Sequence, residues 1–313
     1  MKTFQDRVRA IFLSKYCYTI LQTEGEKMYG AIEAGGTKMV VAIGDENGNI
    51  IDTKEIKTGT PKETIPDILK FFGKYEIDSV GIGAFGPVCL DGNSCDYGRI
   101  GKSPKLDWVG FSWTEAFAEK KIPVVVDTDV NAACIGEVMF GNGQGLSDVI
   151  YITIGTGIGV GVYCDGHLLH GMLHPEAGHI LLAREAGDDF KGSCPYHRDC
   201  FEGLASGPAI KMRYGKEGAK LTDRDDVWEL EAEYISKALM QYICCYSPKR
   251  IILGGGVMHV EKLFPIIRKK TSDYLSGYLD TSELKDMDSY IVPALLRGEQ
   301  GIKGSLFLAK NAK

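Results

Sequence analysis

The sequence predicts an α/β protein built from two similar lobes with a cleft between them. Strands come first in each half and then alternate with helices, which is typical of α/β lobes. Each half also begins with a β-hairpin around a glycine turn, first near residue 35 and again near residue 155. A chain of 313 residues is long enough for two domains. A cleft between two lobes is where small-molecule sites prefer to lie.

Short apolar runs bounded by turn residues predict the strands, and apolar positions three and four residues apart predict the helices. In the first half, the predicted strands are 29–33, 39–44, 50–56, 79–84 and 123–127, and the helices are 61–72 and 131–140. In the second half, the strands are 148–154, 159–164, 167–170, 251–253 and 289–293, and the helices are 226–246, 260–270 and 299–310. Both halves therefore follow one plan, as expected for a duplicated lobe.

Composition and charge exclude several classes of protein. With 44% hydrophobic residues the chain can bury a core, and it has no run of the ~18 apolar residues that a membrane helix needs. Its net charge of −6 argues against nucleic acid as a partner, so bound phosphates would need backbone N–H groups, local lysines and a metal. Nine cysteines without a secretory signal indicate reduced thiols and a cytoplasmic location.

Residues 1–27 differ from the rest of the chain, since they carry five basic and three acidic residues and precede the first clear strand. We interpret them as an extension outside the core, with Met28 as the natural start.

Three glycine clusters, at 34–38, 155–159 and 254–257, each follow an apolar strand. Glycine lets backbone N–H groups approach an anion without a Cβ in the way. The clusters are either tight hairpin turns or phosphate-binding turns, and their matching places in the two halves favour a nucleotide. The usual P-loop and dinucleotide fingerprints are absent from the sequence.

Cys194, His197 and Cys200 follow one another at three-residue spacing, and His179 lies 15 residues upstream. Two thiolates and two neutral imidazoles balance the charge of Zn²⁺ in a closed tetrahedral site. The alternative is two ordinary cysteines and a loop histidine. Because no ligand position is left for water, the sequence predicts a structural zinc.

Four acidic residues are candidates for substrate binding or for general-base catalysis. The zinc loop would fix Glu176 and Glu202 as hydrogen-bond acceptors for hydroxyl groups. Asp127 and Asp129 follow a predicted strand and start a helix, at the carboxyl end of the sheet where ligands bind. Either aspartate could be an N-cap, or one of them could project into the cleft as a general base.

Together these residues resemble the ROK family of sugar kinases, most closely its bacterial fructokinases. The matching stretches are GAIEAGGTK at 30–38, GAFGP at 83–87, YGRIGKSPK at 97–105 with Trp108, DTDVN at 127–131, HPEAGH at 174–179, the cysteine motif at 194–200 and EGLASG at 202–207. The resemblance implies two actin-like (ribonuclease-H-like) lobes that close over ATP–Mg²⁺ and a hexose. It places the first lobe at 28–137, completed by the C-terminal helix at about 299–311, and the second lobe, with the zinc loop, at 138–298.

The resemblance also implies roles for individual residues. Asp129 corresponds to the general base that deprotonates the 6-hydroxyl of the sugar. The implied sugar contacts are Gly86, Pro87, Thr128, Asp129, Glu176, His179 and Glu202. The implied nucleotide contacts are Gly35, Gly36, Thr37, Lys38, Gly155, Thr156, Gly157, Pro208, Gly255 and Gly256. The implied zinc ligands are His179, Cys194, His197 and Cys200.

Three departures from the wider family point to its fructokinase branch. Glu33 stands where the family usually has Asp, Thr128 stands where it has Asn, and the cysteine motif is short. We therefore expect an ATP-dependent hexose 6-phosphotransferase acting on fructose, with mannokinase or glucokinase as the alternative. The resemblance also implies a homodimer.

Two non-enzymatic functions compete with this one. ROK repressors carry an N-terminal helix-turn-helix domain, which 27 residues cannot hold, and the acidic charge also argues against DNA binding. A catalytically inactive sugar sensor would not need Asp129 and both phosphate turns.

Overall fold

The computed structural model of the protein describes residues 27–103 and 105–312, so the predicted extension lies outside the described residues except for Lys27. The strands are β1 Tyr29–Ala34, β2 Lys38–Gly44, β3 Ile50–Lys57, β4 Ser79–Ala84, β5 Val124–Thr128, β6 Val149–Ile154, β7 Ile158–Cys164, β8 His167–Leu168, β9 Arg250–Gly254 and β10 Ile291–Pro293. The helices are α1 Pro61–Phe72, α2 Trp113–Phe117, α3 Asp129–Phe140, α4 Phe201–Ala205, α5 Gly207–Tyr214, α6 Asp225–Tyr246, α7 Leu263–Leu275, α8 Met287–Tyr290 and α9 Gln300–Lys310.

The two lobes each contain a five-stranded sheet, and the two sheets have the same strand order. The first sheet has the order β3-β2-β1-β4-β5, and the second, read in the same direction, has the order β8-β7-β6-β9-β10. In each sheet the first three strands of the lobe are antiparallel hairpins, and the last two join in parallel. Tight turns suffice for the hairpins, whereas the parallel strands need long crossover connections. This repeat confirms the predicted duplication of an α/β lobe.

The C-terminal helix α9 packs on the first sheet. Ser79 Oγ donates to the carbonyl of Ala309 at 2.6 Å, and Ser305 Oγ donates to the carbonyl of Ile32 at 3.1 Å. A Cβ at Gly81 would lie 1.9 Å from the Ser305 carbonyl oxygen, so only glycine lets helix and sheet approach this closely. The last helix of the chain is therefore tied to the sheet formed by its first strands.

Helix α3 connects the two sheets. It follows β5 of the first sheet directly, and its side chains Cys134, Ile135 and Val138 are buried in one cluster with Val149 and Tyr151 of β6. The predicted boundary after residue 137 falls within this helix, and the lobe boundaries stay a prediction.

Some elements differ from the prediction. Helices α2, α4, α5 and α8 were not predicted, because four to eight residues are too few to show a helical period. Helix α7 begins at Leu263 instead of residue 260, since Gly256–His259 forms a 3₁₀ turn first. Among the described residues, no helix has the length and apolar character needed to cross a membrane.

Candidate active site

Helix α3 is capped by Thr128, the last residue of β5. Its backbone is extended, and its Oγ accepts a hydrogen bond from the Asn131 N–H at 3.0 Å. A threonine in this position satisfies one of the free N–H groups of the first helical turn. The possibility that Asp127 or Asp129 is the N-cap is therefore wrong, and both carboxylates are available for other contacts.

Asp127 is buried and fully engaged in hydrogen bonds. Its Oδ1 accepts from the Thr128 N–H and from Asn131 Nδ2, both at 2.7 Å. Its Oδ2 lies 2.9 Å from His170 Nε2. Since both oxygens have partners, Asp127 is not free to take a proton from a substrate.

Of the two aspartates, Asp129 is the one that lines the cleft. Its side chain is half-buried on a cavity wall, and its Oδ1 accepts from the Val130 N–H at 2.8 Å. Burial raises the pKa of Asp129 to about 6, and the nearby Glu176 carboxylate adds to the increase. A carboxylate with a pKa near neutrality accepts a proton more readily than an ordinary aspartate, as a general base should.

The cavity in front of Asp129 has a volume of about 560 Å³, within the range of small-molecule sites. The structure brings all of the predicted sugar contacts to its wall: Gly86, Pro87, Thr128, Asp129, Glu176, His179 and Glu202. Residues of both sheets and of the cysteine loop thus surround one space.

Among the further residues that line this cavity are three polar side chains that sequence reasoning did not single out: Lys102, His174 and Tyr196. The His174 side chain is 5% exposed, and its Nδ1 lies 3.5 Å from Glu176 Oε1. Its Nε2 is buried and has no hydrogen-bond partner among the described residues. Since buried polar atoms rarely lack a partner, this nitrogen is suited to a hydroxyl group of a ligand. Its position two residues before Glu176 was the available sequence signal.

The four predicted metal ligands come together beside the cavity. Their ligand atoms in His179, Cys194, His197 and Cys200 all lie within 4.8 Å of one another. The sulfur of Cys194 is 3.9 Å from His179 Nδ1 and 3.8 Å from His197 Nδ1, and the sulfur of Cys200 is 3.5 Å from His179 Nδ1. Tetrahedral zinc bonds of ordinary length would separate sulfur and nitrogen by about 3.6 Å. The cluster therefore has the donors and the dimensions of a zinc site.

Glu202 links this cluster to a glycine turn. Cys200 caps α4 by accepting the Gly203 N–H on its sulfur at 3.3 Å, and Glu202 lies on the same short helix. Glu202 Oε2 accepts the Ile158 N–H at 3.0 Å, at the start of β7. One carboxylate thus joins the cysteine loop, the cavity wall and the turn at 155–157.

The second-lobe nucleotide candidates lie next to one another. The Gly155 carbonyl accepts the Gly207 N–H at 2.8 Å, which places this turn against the first turn of α5 and Pro208. Gly255 has a φ of +89°, and a Cβ there would lie 2.4 Å from the Ile154 carbonyl oxygen. Only glycine fits this position. Thr156 is exposed at the tip of its turn, and a Cβ on Gly256 would meet no atom within 4 Å.

The first-lobe turn at 35–37 closes the β1–β2 hairpin. The Thr58 hydroxyl donates to the Gly35 carbonyl at 2.8 Å, and the Lys38 ammonium pairs with Glu55 on the sheet surface. The Lys105 side chain packs over Gly36, a contact that the sequence did not reveal. On β1, burial raises the pKa of Glu33 to about 7, and the charge of Asp129 contributes to this increase.

Comparison with known proteins agrees with this geometry. The family model described as ROK family matches residues 29–312. The chain belongs to the ROK family. The predicted family membership is thereby confirmed.

Relatives of this ROK protein carry kinase names. It is 50% identical to a Bacillus subtilis (strain 168) protein provisionally named a fructokinase, over 91% of this chain and 96% of that protein. It is 44% identical to the fructokinase of Pediococcus pentosaceus, over 91% of this chain and 98% of the relative. A crystal structure of a ROK family glucokinase from Streptomyces griseus, in complex with glucose and AMPPNP, matches with a TM-score of 0.69 and 27% identity, covering 92% of this chain and 100% of that one. The ROK fold of two actin-like lobes is confirmed.

Proposed function

We propose that the protein is an ATP-dependent fructokinase that transfers the γ-phosphate of ATP to the 6-hydroxyl of D-fructose. The observation that carries this proposal is the placement of Asp129, with its raised pKa, on the same cavity as Glu176 and Glu202. The fructokinase names of relatives at 50% and 44% identity support fructose as the sugar.

Some cavity residues would bind the sugar, and one would take part in the reaction. Glu176 and Glu202 accept hydrogen bonds from sugar hydroxyls, and the free Nε2 of His174 offers a further polar contact. Asp129 takes the proton of the 6-hydroxyl as this oxygen forms its bond to the γ-phosphorus. The bond from that phosphorus to the bridging oxygen breaks, and ADP leaves. Positioning supplies most of the rate, because a bound sugar reacts with an aligned phosphate.

The glycine turns would bind the nucleotide. Backbone N–H groups at 35–37, 156 and 157, with the hydroxyls of Thr37 and Thr156, can donate to phosphate oxygens, whereas the Gly155 N–H donates to the Gly157 carbonyl at 2.9 Å. Lys38 would have to exchange its partner Glu55 for a phosphate. Glu33 supplies a carboxylate beside Asp129, the ligand type that Mg²⁺ prefers. Magnesium, when bound with ATP, neutralises charge on the phosphates.

The cysteine cluster would hold a structural zinc ion. Two thiolates and two neutral imidazoles provide four ligands and balance the metal charge. The ligands would fix the loop from His179 to Cys200 and thereby the carboxylates Glu176 and Glu202 on either side of it. Paired subunits, implied by the family resemblance, can be checked by analytical ultracentrifugation.

A coupled assay of ADP production tests the proposal. With ATP and Mg²⁺, we expect the highest kcat/KM with fructose and lower values with mannose and glucose. A preference for mannose or glucose would make the protein a mannokinase or a glucokinase. Absence of ADP production with every hexose, from zinc-containing protein, would contradict kinase activity altogether and favour a sugar-binding regulator.

A further inference from the structure

His170 connects the two sheets at the active site. It lies just after β8 of the second sheet, and its Nε2 is 2.9 Å from Asp127 Oδ2 at the carboxyl end of β5 in the first sheet. The Asp127 side chain is 6% exposed and that of His170 is 39% exposed. The contact is therefore a hydrogen bond between the sheets that is shielded on one side.

The contact continues into the junction of β5 and α3, which carries the proposed base. The other oxygen of Asp127 accepts from the Thr128 N–H and from Asn131 Nδ2. Thr128 in turn caps the helix on which Asp129 is the first residue. Every polar contact of the Asp127 carboxylate thus holds either His170 or the first turn of α3.

We propose that His170 is a positioning residue for proton transfer: through Asp127 it holds the first turn of α3, so that Asp129 is aligned when the second lobe contacts the first. This inference rests on the proposed role of Asp129. His170 itself lines no part of the sugar cavity among the described residues, so it acts through Asp127 and does not bind the substrate.

The electrostatics of the pair agree with this role. The hydrogen bond to Asp127 holds the pKa of His170 above its ordinary value, so that a charged imidazole is favoured beside the carboxylate. Asp127 is the ionisable side chain that faces His170 from the first sheet, and on its own segment His167 bonds to the carbonyl of Asp165 instead. The favoured positive charge therefore lies against Asp127, whose other oxygen holds the first turn of α3.

Two substitutions separate positioning from simple structural support. His170→Ala removes the hydrogen bond, whereas His170→Gln keeps an N–H donor without the charge. We expect kcat with fructose to fall about 10- to 100-fold in His170→Ala, with KM changed less than about threefold, because misplacing a base slows chemistry more than binding. His170→Gln should recover most of kcat.

His167→Ala is the matched control, since this exposed histidine on the same segment does not contact Asp127. A kcat within twofold of wild type in His170→Ala would overturn the inference. Equal losses of kcat in both His170 variants, with KM raised to the same degree, would also overturn it, by showing a structural role alone.

A titration of the His170 imidazole by NMR separates this inference from the proposed function. Asp127→Asn should lower the pKa of His170, whether or not the protein phosphorylates a sugar. An unchanged pKa would overturn the inference, whereas a wild-type protein inactive on all hexoses would overturn the proposed function instead.

Discussion

The first sheet presents its acidic groups at a strand end, whereas the second presents its functional groups on a long connection. In the first, β5 leads directly into α3, so Asp127 and Asp129 are held by the sheet and by a helical cap. In the second, residues 169–224 separate β8 from α6 and contain the Cys–His cluster. The strand and the helix cap hold the two aspartates, whereas the long connection would be cross-linked by the proposed zinc ion. One sheet topology thus supports two ways of fixing a side chain.

The largest effect is expected for Asp129→Asn, which tests the proposed base at the end of β5. Asparagine keeps the shape of the side chain but cannot accept the proton, so we expect kcat to fall by about 10²–10⁴-fold. Fructose affinity, measured by calorimetry, should change little. Asp223→Asn, at an exposed loop position, is the control. Turnover at the wild-type rate would remove Asp129 from its role.

Cys194→Ser tests the long connection of the second lobe, which contains the Cys–His cluster. Loss of a metal ligand should lower the free energy of unfolding by about 4 kcal/mol and Tm by roughly 10 °C. Zinc content, measured by mass spectrometry, should fall from about one ion per chain. The exposed Cys244 provides the matched Cys244→Ser control. A stable, fully active Cys194→Ser protein without zinc would refute a structural metal site.

Two adjacent glycines of the second lobe, Gly255 and Gly256, allow a comparison in which each substitution adds a single methyl group. Gly255→Ala forces a positive φ on alanine and a Cβ contact of 2.4 Å, so a loss of about 2–3 kcal/mol in stability is expected. Gly256→Ala meets no atom within 4 Å and should leave stability nearly unchanged. Thermal unfolding of both variants measures the difference. Equal losses would show that backbone strain at residue 255 is not the cause.

The pH dependence of kcat/KM gives the smallest expected effect. The pKa of Asp129 is raised to about 6, and a base must be ionised, so kcat/KM should fall below pH 6, by about tenfold at pH 5. The free energy of unfolding should change with pH in the opposite direction. Because the pKa of Asp129 is higher in the folded than in the unfolded protein, this group stabilises the fold at low pH, and the contribution is lost as pH rises through 6. Recovery of full activity on return to pH 7.5 controls for acid unfolding. A flat profile down to pH 5 would contradict the assignment.

The repeated architecture could be predicted from local signals in the sequence. Glycine turns and short apolar runs indicated both hairpins, and the spacing of Cys194, His197 and Cys200 indicated the metal cluster. These features depend on residues close together in the chain, where periodicity and turn chemistry are informative.

Contacts between distant residues could not be predicted in this way. The pairing of His170 with Asp127 joins residues 43 positions apart, and it depends on how the sheets pack. The sequence also could not show that Thr128 is the N-cap of α3. Aspartate and threonine are both good N-caps, and Asp127, Thr128 and Asp129 are consecutive. The burial of His174 likewise follows from the tertiary structure alone.

The double use of Glu202 has a consequence for redesign. Its carboxylate lines the cavity and also anchors the backbone at Ile158, next to the turn proposed for nucleotide binding. Grafting the metal-binding insertion of another kinase, in order to change which sugar is accepted, would disturb this anchor as well. Under the proposed function, sugar selectivity and nucleotide affinity are therefore coupled traits in this scaffold, and a successful graft has to restore the anchor first.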